Sequence, residues 1–161
     1  MQIARKEPQG TERDELIEGL ERIQESIYFQ CLVYMMKNRE CNYSRDFFDV
    51  LCFVNLYQSI DSTEYLLIQH FRNNSGDDYL LEMEDTVCQY RSGAIAVNVK
   101  TKTKNDDRGA AKSVNSFPYV QGNFQKAGIF IKTDDGRYCI NEARCPEIDA
   151  AIREVEKTWQ S

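Results

Sequence analysis

The residue types that carry most enzymatic chemistry are few in this chain of 161 residues. His70 is the only histidine. Any Cys–His or Ser–His nucleophile pair has to use it. It lies in the apolar run from Tyr65 to Phe71, which is the setting of a partly buried helical residue making one hydrogen bond. No G-x-S-x-G elbow supplies a serine to go with it. The six cysteines are Cys31, Cys41, Cys52, Cys88, Cys139 and Cys145. No C-x-x-C occurs among them, so the close ligand pairs of a structural zinc site are missing. Several lie within apolar runs, and the charged N-terminal stretch is not expected to act as a secretion signal. They are therefore expected to be free thiols packed as small hydrophobes. Phosphate loop, Walker lysine, H-E-x-x-H and dinucleotide fingerprint are all absent. The expected catalytic residues, metal ligands and cofactors are accordingly none.

The densest acidic cluster is Asp77, Asp78, Glu82, Glu84 and Asp85. On a strand, Glu82 and Glu84 share one face, and paired carboxylates suit a hard divalent cation. Sixteen residues beyond Glu82 comes Asn98-Val99-Lys100. The set resembles metal-dependent nucleases of the restriction-enzyme type, in which an acidic residue and an acid-x-lysine pair hold Mg²⁺ and activate water. That resemblance implies a nuclease or hydrolase using Glu82, Glu84 and Lys100. It departs at Asn98, where the family has a carboxylate.

Lys100, Lys102 and Lys104 alternate with threonine, and with Arg108 and Lys112 they form a basic patch suited to phosphates or an acidic protein. Further on, Phe124 to Lys132 leads through Gly128 into a hairpin marked by Asp134-Asp135-Gly136-Arg137. The stretch is similar to the end of a winged-helix domain, where a helix leads through a glycine into a two-stranded wing. That resemblance implies a nucleic-acid-binding fold whose preceding helix reads the major groove. Pro118 and Gly122 interrupt that helix here, and Lys126 is its only basic residue, so nucleic acid is the less favoured partner.

The elements that must position these groups follow from periodicity. Residues 1–10 read as a flexible tail. Thr11 caps a helix in which Leu16, Leu20, Ile23, Ile27, Cys31 and Tyr34 recur at three- and four-residue steps. From Ile27 to Met36 all residues but Gln30 are apolar or aromatic, so this segment is expected to be covered on all sides, by its own domain or by a partner. Ser44 caps a second apolar helix to Tyr57. Asp61 with Glu64 makes a capping box for a third, from Ser62 to Arg72, with Gly76 as the stop. Tyr79–Glu84, Asp85–Arg91 and Ala94–Thr101 read as strands, and residues 102–112 as a basic loop. Residues 113–125 are open between helix and loop. Gly128–Thr133 and Arg137–Asn141 form the hairpin. Pro146 starts a last helix whose stripe is Ile148, Ile152, Val155 and Trp159.

Strands do not alternate with helices, so the fold class is α+β: about three N-terminal helices, a small antiparallel sheet with a hairpin, and a C-terminal helix. The expected organisation is one domain over 11–161, helical over 11–76, β-rich over 77–141 and helical again over 146–159. Nine Tyr, eight Phe and one Trp exclude wholesale disorder, and no apolar run is long enough for a membrane span.

The net charge of −6 divides unevenly: residues 1–99 carry −8, residues 100–137 carry +4 and residues 138–161 carry −2. These features point to a soluble, cytoplasmic, non-enzymatic protein-binding module: an inhibitor, adaptor or regulatory subunit, of the kind found in bacterial or phage conflict systems. Its expected contact surface is Lys100, Lys102, Lys104, Arg108, Lys112, Asp135 and Arg137, where mixed charge steers association. If the apolar stretches 27–36 and 47–57 exceed what one small core needs, a homodimer buries the excess.

Overall fold

The computed structural model describes residues 10–75, 78–98, 103–105, 111–113 and 116–160. Most of the expected tail, the Gly76 stop and three of the expected contact residues, Lys100, Lys102 and Arg108, lie outside them. The first helix, α1, spans Thr11–Lys37, with Glu12 and Asp14 at its positive end and Lys37 at its negative end. Its N-cap is Gly10 rather than Thr11. Helix α2, Ser44–Tyr57, begins after Tyr43, which takes a left-handed φ of 67°. Ser44 is the first helical residue rather than the cap. Its buried hydroxyl donates to the Met36 carbonyl at 3.0 Å, which satisfies an end group of α1 and fastens the two helices together.

Strand β1 is only Ser59–Ile60, and helix α3 follows over Ser62–Ser75. Its capping box forms as the residue pattern requires. Asp61 accepts from the amides of Thr63 and Glu64, both at 2.9 Å, and Glu64 accepts from the Asp61 amide at 3.0 Å.

The region after α3 is not β-rich. Short helices α4, Tyr79–Glu82, and α5, Glu84–Arg91, occupy the first two expected strands. The physical reason is the period. Tyr79, Met83 and Val87 are all buried, and they are four residues apart, which lays them along one side of a helix. Ala94 to Asn98 is turn and irregular chain rather than strand. The strands instead are β2, Thr103–Asn105, and β3, Ala111–Ser113, which pair antiparallel. Part of the expected basic loop is therefore a hairpin.

Residues 117–126 resolve as helix α6, with Pro118 tolerated in its first turn. Gly128, at a φ of 68°, turns the chain into β4, Phe130–Lys132. That left-handed φ calls for glycine, while the nearest neighbour a Cβ would meet, the Glu25 carboxylate of α1 at 2.8 Å, is the movable end of a flexible side chain. Strand β5, Tyr138–Ile140, completes the expected hairpin and pairs on its other edge with β1, giving the antiparallel order β1-β5-β4. Helix α7 closes the chain over Cys145–Gln160. The whole is α+β, mostly helical, with a small antiparallel sheet.

The core is built around α2, where Phe47, Val50, Leu51, Phe53 and Val54 have no exposed surface. Against it pack Phe29, Leu32, Val33 and Met36 of α1, Tyr65 and Ile68 of α3, Val120 and Phe124 of α6, and Ile148, Ala151 and Val155 of α7. The chain's own fold does not cover the segment from Ile27 to Met36 on all sides: Ile27 is 59% exposed and Tyr34 75%. No disulfide links the six cysteines, and Cys31 and Cys88 are exposed. Among the described residues, no helix is long and apolar enough to cross a membrane.

Candidate functional site

Among the described residues two polar clusters are buried, and both tie elements of the fold together. At the start of α3, Glu64 has no exposed surface, yet it is ionically paired on both oxygens. Arg91 of α5 donates to Oε1 and Arg137 of β5's approach donates to Oε2, each at 2.6 Å. Arg137 also reaches Asp61 at 2.8 Å, and Tyr90 donates to the same Asp61 oxygen at 3.0 Å. The remaining guanidinium nitrogens of Arg91 hold the carbonyls of Tyr57 and Ser59. Two charges taken out of water are stable only when their lone pairs and protons are all used in this way. The cluster ties α3, α5, β1 and β5 together. Its carboxylate oxygens are occupied by donors from the chain itself.

The second cluster surrounds Asp49 of α2. Arg45 donates to it at 2.9 Å and Arg72 at 2.8 Å, and Arg72 also binds Asp46 at 2.8 Å. Burial raises the Asp49 carboxyl above its ordinary range against the opposing pull of Arg45 and Arg72. The buried Tyr79 hydroxyl is raised by burial and by the Asp49 charge. Cys52 nearby is pushed up to about 12, by burial first and by Asp49 second. A thiol so placed stays protonated at neutral pH, and the thiolate is the nucleophilic form.

Among the described residues, those singled out from the sequence are not gathered into one site. Glu82 ends α4 and Glu84 starts α5. In helical backbone, residues two apart point in nearly opposite directions, so the shared strand face that made them a pair does not exist. Lys100, the third member of that set, lies outside the described residues. Among the described residues, no group of three or more His, Cys, Asp or Glu is arranged to hold a metal ion. His70 is exposed rather than partly buried, with its ring edge-on to Phe71. Lys104 and Lys112 are register partners across the β2–β3 hairpin. Asp135 closes the other hairpin turn, accepting from the Thr133 hydroxyl and the Arg137 amide. Those hydrogen bonds hold its carboxyl below the usual range. Arg137, expected on the contact surface, turns inward to Asp61 and Glu64. In α6 the one basic side chain, Lys126, lies over the Tyr28 ring, and Tyr119 packs on Tyr43 and Phe47. No row of cations runs along this helix.

The feature that sequence reasoning left unresolved is on α1. Its stripe of Leu16, Leu20, Ile23, Ile27 and Tyr34 was legible as helical spacing, but not as a face separate from the core. The structure separates them. Leu16 is 40% exposed, Leu20 42% and Ile23 59%, while the buried Phe29, Leu32, Val33 and Met36 line the other side. At about 100° per residue, the two sets lie roughly opposite each other. None of residues 12–28 is buried, so the first half of α1 carries its apolar side in water. Large apolar side chains contiguous on a surface mark a contact site, whereas scattered ones need no explanation.

Two concavities among the described residues lie beside α1 and just past its C-terminal end. One of about 370 Å³ lies between α1 and α7 and is lined by Phe29, Val33, Arg144, Ala151 and Glu154. The other, of about 320 Å³, is bounded by Arg39, Ser44, Arg45 and Trp159. There both guanidiniums approach the Trp159 ring, whose indole N–H donates to the Met36 carbonyl.

Compared with protein families, with curated proteins and with solved structures, the chain matches none.

Proposed function

We propose that this chain is a non-enzymatic protein-binding module that docks through the outward face of α1. One observation carries the reading: α1, 27 residues long, holds the core with the inner side of its last turns, Phe29 to Met36, and leaves a regular apolar stripe in water along its outer side. An amphipathic helix with one apolar face is complete within its own fold. A helix with two is complete only when a second surface covers the outer one. Helices with little tertiary cover are marginal in water, so the exposed half of α1 gains most of its order from what it binds. The roles open to such a module are inhibitor, adaptor or regulatory subunit. The basic segment from Lys100 to Lys112 is kept as a steering surface, because its charge opposes that of the rest of the chain.

The test uses the full chain in its native host with Ile23 exchanged for a photoreactive phenylalanine analogue. Illumination is expected to trap one dominant protein adduct at that position. An illuminated sample without a protein adduct overturns the reading.

A further inference from the structure

We infer that the occupant of the α1 stripe is a second copy of this chain, with the two α1 helices running antiparallel. This rests on the docking reading above and names its partner. The stripe keeps heptad spacing. Leu20, Ile27 and Tyr34 occupy one repeating position, Leu16, Ile23 and Gln30 the other, and this is the seam by which helices supercoil around each other. The seam is self-complementary when the helices are opposed. Laying Ile23 against Ile27 of a second copy brings Leu20 opposite Gln30 and Leu16 opposite Tyr34, and each layer then joins the two kinds of seam position. A two-fold axis between Ile23 and Ile27 generates every layer twice, as an isologous dimer requires. Between Leu16 and Tyr34 the seam's one amide position is Gln30, and a polar residue in a seam fixes register at some cost in stability; the charged Arg13 and Lys37 bound the seam at the next heptad positions.

Charge selects the direction. From Glu12 to Glu25, six carboxylates face two guanidiniums, a net −4, while from Ser26 to Met36 there is no charged side chain. A parallel pair sets −4 against −4. An antiparallel pair sets each acidic half along the other's uncharged half and removes that repulsion. Geometry permits it as well. The core face lies roughly opposite the seam, so the two bodies stay on the outer sides of the helix pair. α1 is about 40 Å long at 1.5 Å per residue, enough for the layers described.

The experiment measures the mass of the purified full chain in solution from low micromolar to near-millimolar concentration. The expected result is a dimer that dissociates on dilution, and a monomer throughout for Ile23→Glu combined with Ile27→Glu. Far-ultraviolet circular dichroism checks that the double variant keeps the helices of the body, because both positions are exposed. Direction is read from Leu20→Cys combined with Gln30→Cys, in a background of Cys31→Ser and Cys88→Ser. Mild oxidation is expected to link position 20 of one copy to position 30 of the other, and Leu20→Cys alone is expected not to cross-link.

A wild-type chain that is monomeric throughout overturns the inference, as does a dimer that survives the two glutamates or links position 20 to position 20. The photoadduct at position 23 separates this failure from failure of the docking reading. An adduct with a different protein sinks the second copy and leaves the docking reading standing. The absence of any protein adduct sinks both.

Discussion

At the start of α3 the fold hides charge, and along the outer side of α1 it leaves apolar side chains in water. Both depart from the usual sorting of side chains, and a buried charge or an exposed apolar run is what carries information. The departures are resolved differently. Glu64, Asp61, Arg91 and Arg137 pair within the chain, so the junction is complete and needs nothing from outside. The α1 stripe has no such internal answer. Its second apolar side becomes costly only in an unaccompanied chain, which is the condition a binding partner removes. α7 shows what a resolved helix looks like. Its Ile148, Ala151 and Val155 form a single stripe, and all are buried.

The largest effect is expected where the hidden charges lie. Glu64→Ala leaves two guanidiniums facing each other without their shared carboxylate and strips α3 of its reciprocal cap. Breaking a buried ion pair from one side costs about 3–5 kcal/mol. Urea denaturation of the variant is expected to show a loss of that size. A loss under about 1 kcal/mol, the range of exposed pairs, would place the junction among surface salt bridges and dissolve the contrast with α1.

How much of this was legible in the sequence depends on reach. The Asp61–Glu64 cap was readable because its two residues are three apart and act on local backbone. Their guanidinium partners were not, since Arg91 and Arg137 lie 27 and 73 positions beyond Glu64 and nothing local marks either as a partner. Asp134-Asp135-Gly136 announced its hairpin by turn chemistry, and β1 joined that sheet unannounced because two residues carry no period. The acidic stretch from Tyr79 to Arg91 was misassigned for a related reason. Its runs are so short that an alternating and a four-residue pattern can be drawn through the same residues, and only burial of Tyr79, Met83 and Val87 together decides between them. On α1 the spacing was plain, but spacing does not say which side of a helix the rest of the chain will choose.

A second effect, smaller near the foot of its pH window, tests the hidden groups by pH. Cys52 is pushed from 9.0 to about 12 and the buried Tyr65 from 10.0 to about 12, in both cases first by burial. Raised values mean that the folded chain keeps protons which the unfolded chain has already released. The stability these groups contribute is therefore fully present below pH 9 and is lost progressively between pH 9 and 12. Each fully differing group supplies a slope of about 1.4 kcal/mol per pH unit. Cys52→Ala is expected to flatten the decline of stability that begins near pH 9. If the variant follows the wild-type curve through that window, the thiol is open to water and the buried side of the comparison is weaker than drawn.

The smallest effect belongs to the displayed side chains and is the most diagnostic. Ile27 resembles a core residue in type and not in place, since it is 59% exposed. Burying an isoleucine and then truncating it to alanine costs about 2–5 kcal/mol, whereas surface substitutions stay within about 0.5. In solution dilute enough to hold single chains, Ile27→Ala is expected to leave the denaturation midpoint within that smaller range. The same variant at high concentration is expected to lose stability relative to wild type, because association stabilises the folded chain by an amount that grows with the logarithm of partner concentration over Kd. A loss of core size in the dilute sample would mean that the chain itself covers this side of α1. The stripe would then be ordinary interior, and the asymmetry between the two regions would vanish.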